Sequence, residues 1–180
     1  MKITEERVAI VTGAARGIGK ATALRLSRDG MRVVLSGRDR AALEAVRAEA
    51  GSNTGEMYAA PGDLTDSETP VSLVKSAKDR FGRVDVLINA AGIARMLPLL
   101  DTDLASWRNF LDVHLTASFL CSQHAARTMI TAGSGGAIVN LSSISASMAM
   151  YGTGPYATAK GGVSSFTRVF AIELAPYGIT

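Results

Sequence analysis

Apolar runs of strand length alternate along this chain with amphipathic stretches of helix length, and that alternation restricts it to βαβ units around a parallel sheet. The runs fall at residues 8–11, 32–35, 57–60, 84–88 and 137–141. None of them alternates apolar with polar at period two, so strands covered on both faces are expected. Between them the spacing predicts helices near residues 18–28, 40–50, 67–81, 104–131 and 156–175. Gly30, Gly51, Gly82 and Gly133 close four of these stretches, as residues that accept a left-handed backbone at a helix end. No repeat, low-complexity tract or linker interrupts the pattern, so residues 1–180 read as one domain, a doubly wound parallel α/β sheet with helices on both faces.

Charge excludes several classes of partner. Nineteen Lys and Arg against sixteen Asp and Glu leave +3, scattered along the chain, which argues for neither a nucleic-acid stripe nor a membrane-surface patch. No apolar run approaches the roughly eighteen residues of a spanning helix. The first seven residues are polar and acidic where a signal peptide would be basic and then apolar. A soluble cytoplasmic protein is expected, without nucleic-acid or membrane partners. Cys121 is alone, which rules out an intrachain disulfide, and His124 has no partner at metal spacing, so no metal is expected.

The segment Thr12-Gly13-Ala14-Ala15-Arg16-Gly17-Ile18-Gly19 joins the first strand to the first helix. There, backbone N–H groups and the positive helix end favour a pyrophosphate, and a Cβ would block its approach. Its Gly-x-x-x-Gly-x-Gly spacing differs from the common Gly-x-Gly-x-x-Gly fingerprint. A Walker A loop is excluded, because Ala21 follows Lys20 where Ser or Thr is required and Ala14 stands where the first glycine would. On this motif alone, a glycine-rich turn that binds nothing stays open. The second strand ends in Leu35-Ser36-Gly37-Arg38-Asp39. Asp39 lies at the distance of a ribose-binding acid, yet N-capping of the second helix explains it fully. Arg38 is nearer the strand end and could converge with Arg16 on a 2′-phosphate, so NADP is expected, with NAD as the alternative.

Tyr156 and Lys160 are four apart behind a helix start at Pro155, which places an ammonium beside a phenol on one helix face. A phenol carries protons poorly at neutral pH, and a neighbouring cation favours its phenolate form. In combination these segments resemble the short-chain dehydrogenase/reductase family, including NADP-dependent 3-oxoacyl reductase-like members. Residues 12–19 resemble its coenzyme loop, with Gly13, Arg16, Gly17, Ile18 and Gly19 as contacts. Asp63 and Leu64 resemble its adenine-side pair, and Asn89-Ala90-Ala91-Gly92 its Asn-Asn-Ala-Gly motif. Tyr156 to Lys160 resembles the active-site motif, and Ser143, thirteen residues before Tyr156, stands where the family's catalytic serine does.

The resemblance implies a Rossmann-like fold and hydride transfer between a nicotinamide and a carbonyl or secondary-alcohol carbon. Tyr156 would protonate the developing alkoxide, Ser143 would hydrogen-bond that oxygen, and Lys160 would favour the tyrosine's charged form while holding the nicotinamide ribose. A homodimer or homotetramer is implied through helices 104–131 and 156–175. Two positions depart from the pattern. Ala90 replaces an asparagine. His114 replaces the catalytic asparagine that holds a water beside the lysine; it is expected either to keep that relay, titrating near neutrality, or to be a satisfied interior histidine. Ser142 reads as structural, Ser145 and Tyr151 as possible substrate contacts, and Met148 and Met150 as an apolar substrate wall. Rival readings are a coenzyme-binding protein without catalysis and a methyltransferase, the latter leaving Ser143, Tyr156 and Lys160 without a role. Residues 176–180 resemble the turn into the family's sixth strand, so the C-terminal strands and substrate cover are expected to be lacking, as in a truncated reductase.

Overall fold

A computed structural model describes residues 7–51 and 54–180; residues 1–6, most of the polar start noted above, lie outside the described residues. Five parallel strands, β1 (Val8–Thr12), β2 (Arg32–Gly37), β3 (Met57–Pro61), β4 (Val86–Asn89) and β5 (Ala137–Asn140), pair in the order β3-β2-β1-β4-β5. The helices are α1 (Gly17–Arg28), α2 (Arg40–Ala50), α3 (Glu68–Phe81), α4 (Leu104–Leu111), α5 (Ala117–Ala132) and α6 (Gly154–Leu174).

The absence of period-two polarity has its explanation in β1, which is buried throughout. Val8 and Ile10 join a core with α3, α5 and α6, through Leu73, Val74, Ala125, Met129 and Leu174. Ala9 and Val11 point the other way, into a core with Ala23, Leu24, Leu43 and Val46 of α1 and α2. Each fully buried aliphatic side chain stabilises the fold by about 1.5–3 kcal/mol relative to exposure. The four glycines expected at helix ends all take positive φ, from +62° at Gly133 to +93° at Gly30.

Two elements differ from the sequence expectation. Regular pairing of β4 begins at Val86 rather than residue 84, and the buried Asp85 carboxylate accepts the Val8 N–H at 2.8 Å while Arg83 grips both its oxygens. The helix expected over 104–131 is divided by one π-helical turn, Asp112–Thr116, which widens the backbone and turns His114 inward. Beyond β5, Ile179 makes a parallel bridge to Gly136. Among the described residues, no helix is long and apolar enough to cross a membrane.

Candidate active site

The chain runs outward from β1 to β3 and then returns to β4 on the other side of β1, so a crevice opens where β1 and β4 diverge at their C-terminal ends. Thr12 closes the bottom of that crevice. Its hydroxyl accepts the N–H groups of Ala90 (3.0 Å) and Ala91 (3.1 Å), binding the glycine loop to the segment after β4. The sequence reading assigned Thr12 no role. Gly13, at φ +66°, lies so close to this segment that a Cβ would stand 2.8 Å from the Ala90 carbonyl oxygen, and a Cβ on Gly19 would press on the Gly13 carbonyl. Gly17 is different: φ is +57°, and nothing lies within 4 Å of where its Cβ would be. The first turn of α1 thus presents open backbone, with Ile18 66% exposed beside it, a cradle that fits a pyrophosphate.

Around the cradle, Arg16 and Arg38 are both exposed. Asp39 accepts the Ala42 N–H at 3.1 Å, the helix cap expected of it. Asp63 accepts the N–H (3.0 Å) and hydroxyl (2.9 Å) of Thr65, which hold its carboxyl below the usual value, and the charge of Arg38 acts in the same direction. Leu64 packs its side chain against the core. Asn89 corrects an expectation. Its side chain, 3% exposed, turns inward to the Ser118 carbonyl (3.2 Å), Ser122 Oγ (3.0 Å) and Asn140 Oδ1 (2.7 Å), so its amide joins sheet to helix and does not face a coenzyme.

Tyr156 stands in the first turn of α6, started by Pro155, with Lys160 one turn on. Lys160 Nζ lies 5.9 Å from the centre of the Tyr156 ring and donates to the Leu141 carbonyl at 2.6 Å. Lys160 is 6% exposed as a residue, and none of the ion pairs among the described residues includes its ammonium. Burial pushes its pKa below the ordinary lysine value. Ser143, just past β5, accepts the Ser145 N–H at 3.2 Å and so caps a 3-10 turn, Ile144–Ala146, that packs on α6. The Ser142 hydroxyl meets Ser164 Oγ at 2.5 Å, a strand-to-helix tie that fits the structural role expected of it.

Apolar side chains rim this end of the site. Leu97 donates to the Gly152 carbonyl at 2.7 Å, joining the segment after β4 to the one before α6. From these two segments Met96, Leu99, Ile144, Met148, Met150 and Tyr151 are exposed. The hydroxyls among them turn back: Ser145 to Met150 Sδ (3.8 Å), Ser147 to the Ile144 carbonyl (3.3 Å), Thr153 to the Met150 carbonyl (2.7 Å). Ser145, expected as a substrate contact, is buried with its hydroxyl so engaged.

His114 is 2% exposed, with Phe110 stacked on it at 6.0 Å and Tyr156 edge-on at 5.1 Å. Its Nε2 meets both the N–H (3.1 Å) and the carbonyl (2.9 Å) of Ile93, while Nδ1 has no partner among the described residues. A Cβ on Gly92 would lie 2.5 Å from its Cε1, so this glycine makes room for the ring. Burial first, and the Lys160 charge second, push its pKa down to about 4, against the expectation of titration near neutrality. The ring is neutral at pH 7. Because the folded value lies below the unfolded 6.5, stability is lost as pH falls from about 6.5 to about 4. Urea unfolding should therefore show the protein losing on the order of 2 kcal/mol between pH 7 and 5 that His114→Asn does not lose. Equal losses in both proteins would contradict the buried neutral ring. No limb between pH 6 and 7 in a rate profile is expected from this residue.

The sequence profile of the family described as short chain dehydrogenase matches residues 7–180. The chain is 42% identical over 175 residues to 3-oxoacyl-[acyl-carrier-protein] reductase of Synechocystis, covering 97% of this chain and 70% of that protein. Against cis-4-hydroxycyclohexanecarboxylate dehydrogenase of Sinomonas cyclohexanicum it is 41% identical, with the same coverage of both chains. A crystal structure of a short chain dehydrogenase from Mycobacterium smegmatis superposes with a TM-score of 0.94 at 32% identity, over 99% of this chain and 75% of that one.

Proposed function

Since the chain belongs to the short-chain dehydrogenase family, whose members oxidise CH–OH groups or reduce the corresponding carbonyls with NAD(P), we propose that it interconverts a ketone and a secondary alcohol using NADP(H), the substrate bearing an apolar group. The observation that supports this most is the pairing of Tyr156 with the buried ammonium of Lys160 at the mouth of a glycine-lined crevice.

The open backbone at Gly17 would hold the coenzyme pyrophosphate, with Gly13 and Gly19 letting the loop close on its neighbours. Arg38 and Arg16 would take the 2′-phosphate, with Asp63, Leu64, Ala90 and Gly92 along the same edge. When bound, the nicotinamide supplies or takes the hydride. In reduction, Tyr156 Oη gives its proton to the substrate oxygen as negative charge gathers there, and takes it back in oxidation. The Ser143 hydroxyl donates to the same oxygen, a fixed dipole worth most where water is excluded. Lys160 stabilises the phenolate left behind and would hold the coenzyme ribose. His114, neutral and held on Ile93, keeps the Tyr156 ring in place by its edge contact. The Met96, Met148 and Met150 rim would receive an acyl chain or an alicyclic ring, the apolar bodies named for the two relatives. Exposed Phe119, Val169 and Ile172 on α5 and α6 support a homodimer or homotetramer formed through these helices.

Absorbance at 340 nm with NADPH, over alicyclic and aliphatic ketones set against ketoses, tests this reading. Turnover that favours the apolar ketones is expected; NADPH binding without turnover on any of them would assign a coenzyme-binding protein without catalysis. Arg38→Ala should weaken NADPH about 10-fold or more and leave NADH nearly unchanged, since a charged hydrogen bond contributes about 1.5–3 kcal/mol. Equal weakening of both coenzymes in a fluorescence titration would remove Arg38 from the phosphate.

A further inference from the structure

Beneath the reacting groups runs a string of polar side chains that the chemistry above does not use. Asn89, at the end of β4, donates to Asn140 Oδ1 at the end of β5 (2.7 Å), and Asn140 Nδ2 donates to Thr167 Oγ1 on α6 (2.9 Å). Thr167 donates in turn to the Val163 carbonyl (2.6 Å). A branch enters α5: Asn89 also donates to Ser122 Oγ (3.0 Å) and to the Ser118 carbonyl (3.2 Å), and Ser118 Oγ donates to the carbonyl of His114 (2.8 Å). Each element in the string carries part of the site. Three residues beyond Asn140 is Ser143; three beyond Asn89 is Gly92; His114 precedes α5.

The helix geometry shows what Thr167 controls. Tyr156, Lys160, Val163 and Thr167 are spaced by four, three and four, one stripe of α6 turned toward the sheet. The first half of α6 has directional ties to the segment after β5, from Lys160 Nζ to the Leu141 carbonyl and between Ser142 and Ser164, whereas Val163 and Leu174 grip the core through apolar contact, which is non-directional and leaves the rest of the helix free to rotate slightly about its axis. The Asn140–Thr167 bond is directional. A displacement of about 1 Å at a reacting group can reduce the rate by about 10²-fold.

We propose that Asn140 and Thr167 are positioning residues, which fix the rotation of α6 on the sheet and so deliver Tyr156 and Lys160 to Ser143. The proposal rests on the hydride-transfer reading. Its test is Thr167→Val, which keeps the shape and removes the hydroxyl, beside Thr167→Ser, which keeps the hydroxyl. Thr128→Val serves as the control, because Thr128 makes the same bond one turn back, to the His124 carbonyl at 3.0 Å, and among the described residues its hydroxyl bonds to no other element. With NADPH and the best ketone of the panel, kcat of Thr167→Val should fall 10- to 100-fold, while the NADPH Kd stays within about twofold. Thr167→Ser should recover kcat to within about threefold of the unaltered protein, and Thr128→Val should leave it unchanged. Thr167→Ala, a better helix former, carries the same test should the valine variant not fold. Unchanged kcat in Thr167→Val, or an equal loss in Thr128→Val, would overturn the positioning role alone. Absence of turnover in the unaltered protein would overturn the hydride-transfer reading and this role with it.

Discussion

Tyr156→Phe is expected to lose turnover by about 10³-fold or more and to bind NADPH almost as the unaltered protein does. The phenol oxygen is the group assigned to carry a proton, and a positioned acid or base contributes about 10²–10⁴-fold. Phenylalanine keeps the ring, and with it the edge contact to His114 at 5.1 Å, so packing around the crevice survives. The glycine cradle lies on other strands and is untouched. Stopped-flow measurement of NADPH oxidation, paired with a fluorescence titration of the coenzyme, separates the two effects. Residual activity above about a tenth would remove Tyr156 from the proton step.

Lys160→Met should abolish turnover to a similar degree and raise the resistance of the fold to urea. The ammonium is buried with a carbonyl as its bonded partner and no carboxylate paired to it, an arrangement that costs stability and persists for function. Burial lowers its folded pKa, so the unfolded chain holds more protons between that lowered value and 10.5, and the fold gains stability as pH rises through this window. Methionine fills similar volume without the charge. Its advantage in urea midpoint should therefore be largest at pH 7 and shrink toward pH 10. A lower midpoint for Lys160→Met at pH 7 would mean that the bond to Leu141 outweighs the cost of burying the charge.

Much of this architecture could be read in the sequence, and the parts that could not share a physical reason. The strands announced themselves because β1 needs apolar side chains on both faces, and the helix ends because residues such as Gly82 and Gly133 occupy a left-handed backbone. The helix cap at Asp39 was legible because capping is local, three residues to Ala42. What escaped is set by distant neighbours. Thr12 meets Ala90 across 78 residues, and Asn89 reaches Asn140 across 51. No periodicity along the chain encodes such pairings. His114 shows the same limit in its charge: an imidazole titrates near neutrality in water, and its enclosure by Phe110, Tyr156 and Gly92, with the Lys160 charge beside it, keeps it neutral. Asn89 stands in its expected motif, but the motif does not say which way the amide turns.

The π-helical turn before α5 has a consequence for how this segment tolerates change. Phe110, His114, Ser118 and Ser122 are buried at intervals of four, three times in succession. In a straight α-helix each such interval drifts by about 40°, so the last of them would face away from the first. One wide turn absorbs part of the drift, so that His114 meets Tyr156 while Ser118 and Ser122 still reach Asn89. Between residues 112 and 116 the number of residues is therefore as constrained as their identity. A one-residue deletion there would turn the wide turn's bonds into the ordinary α-helical ladder while swinging the sixteen residues of α5 by about 100° against the sheet.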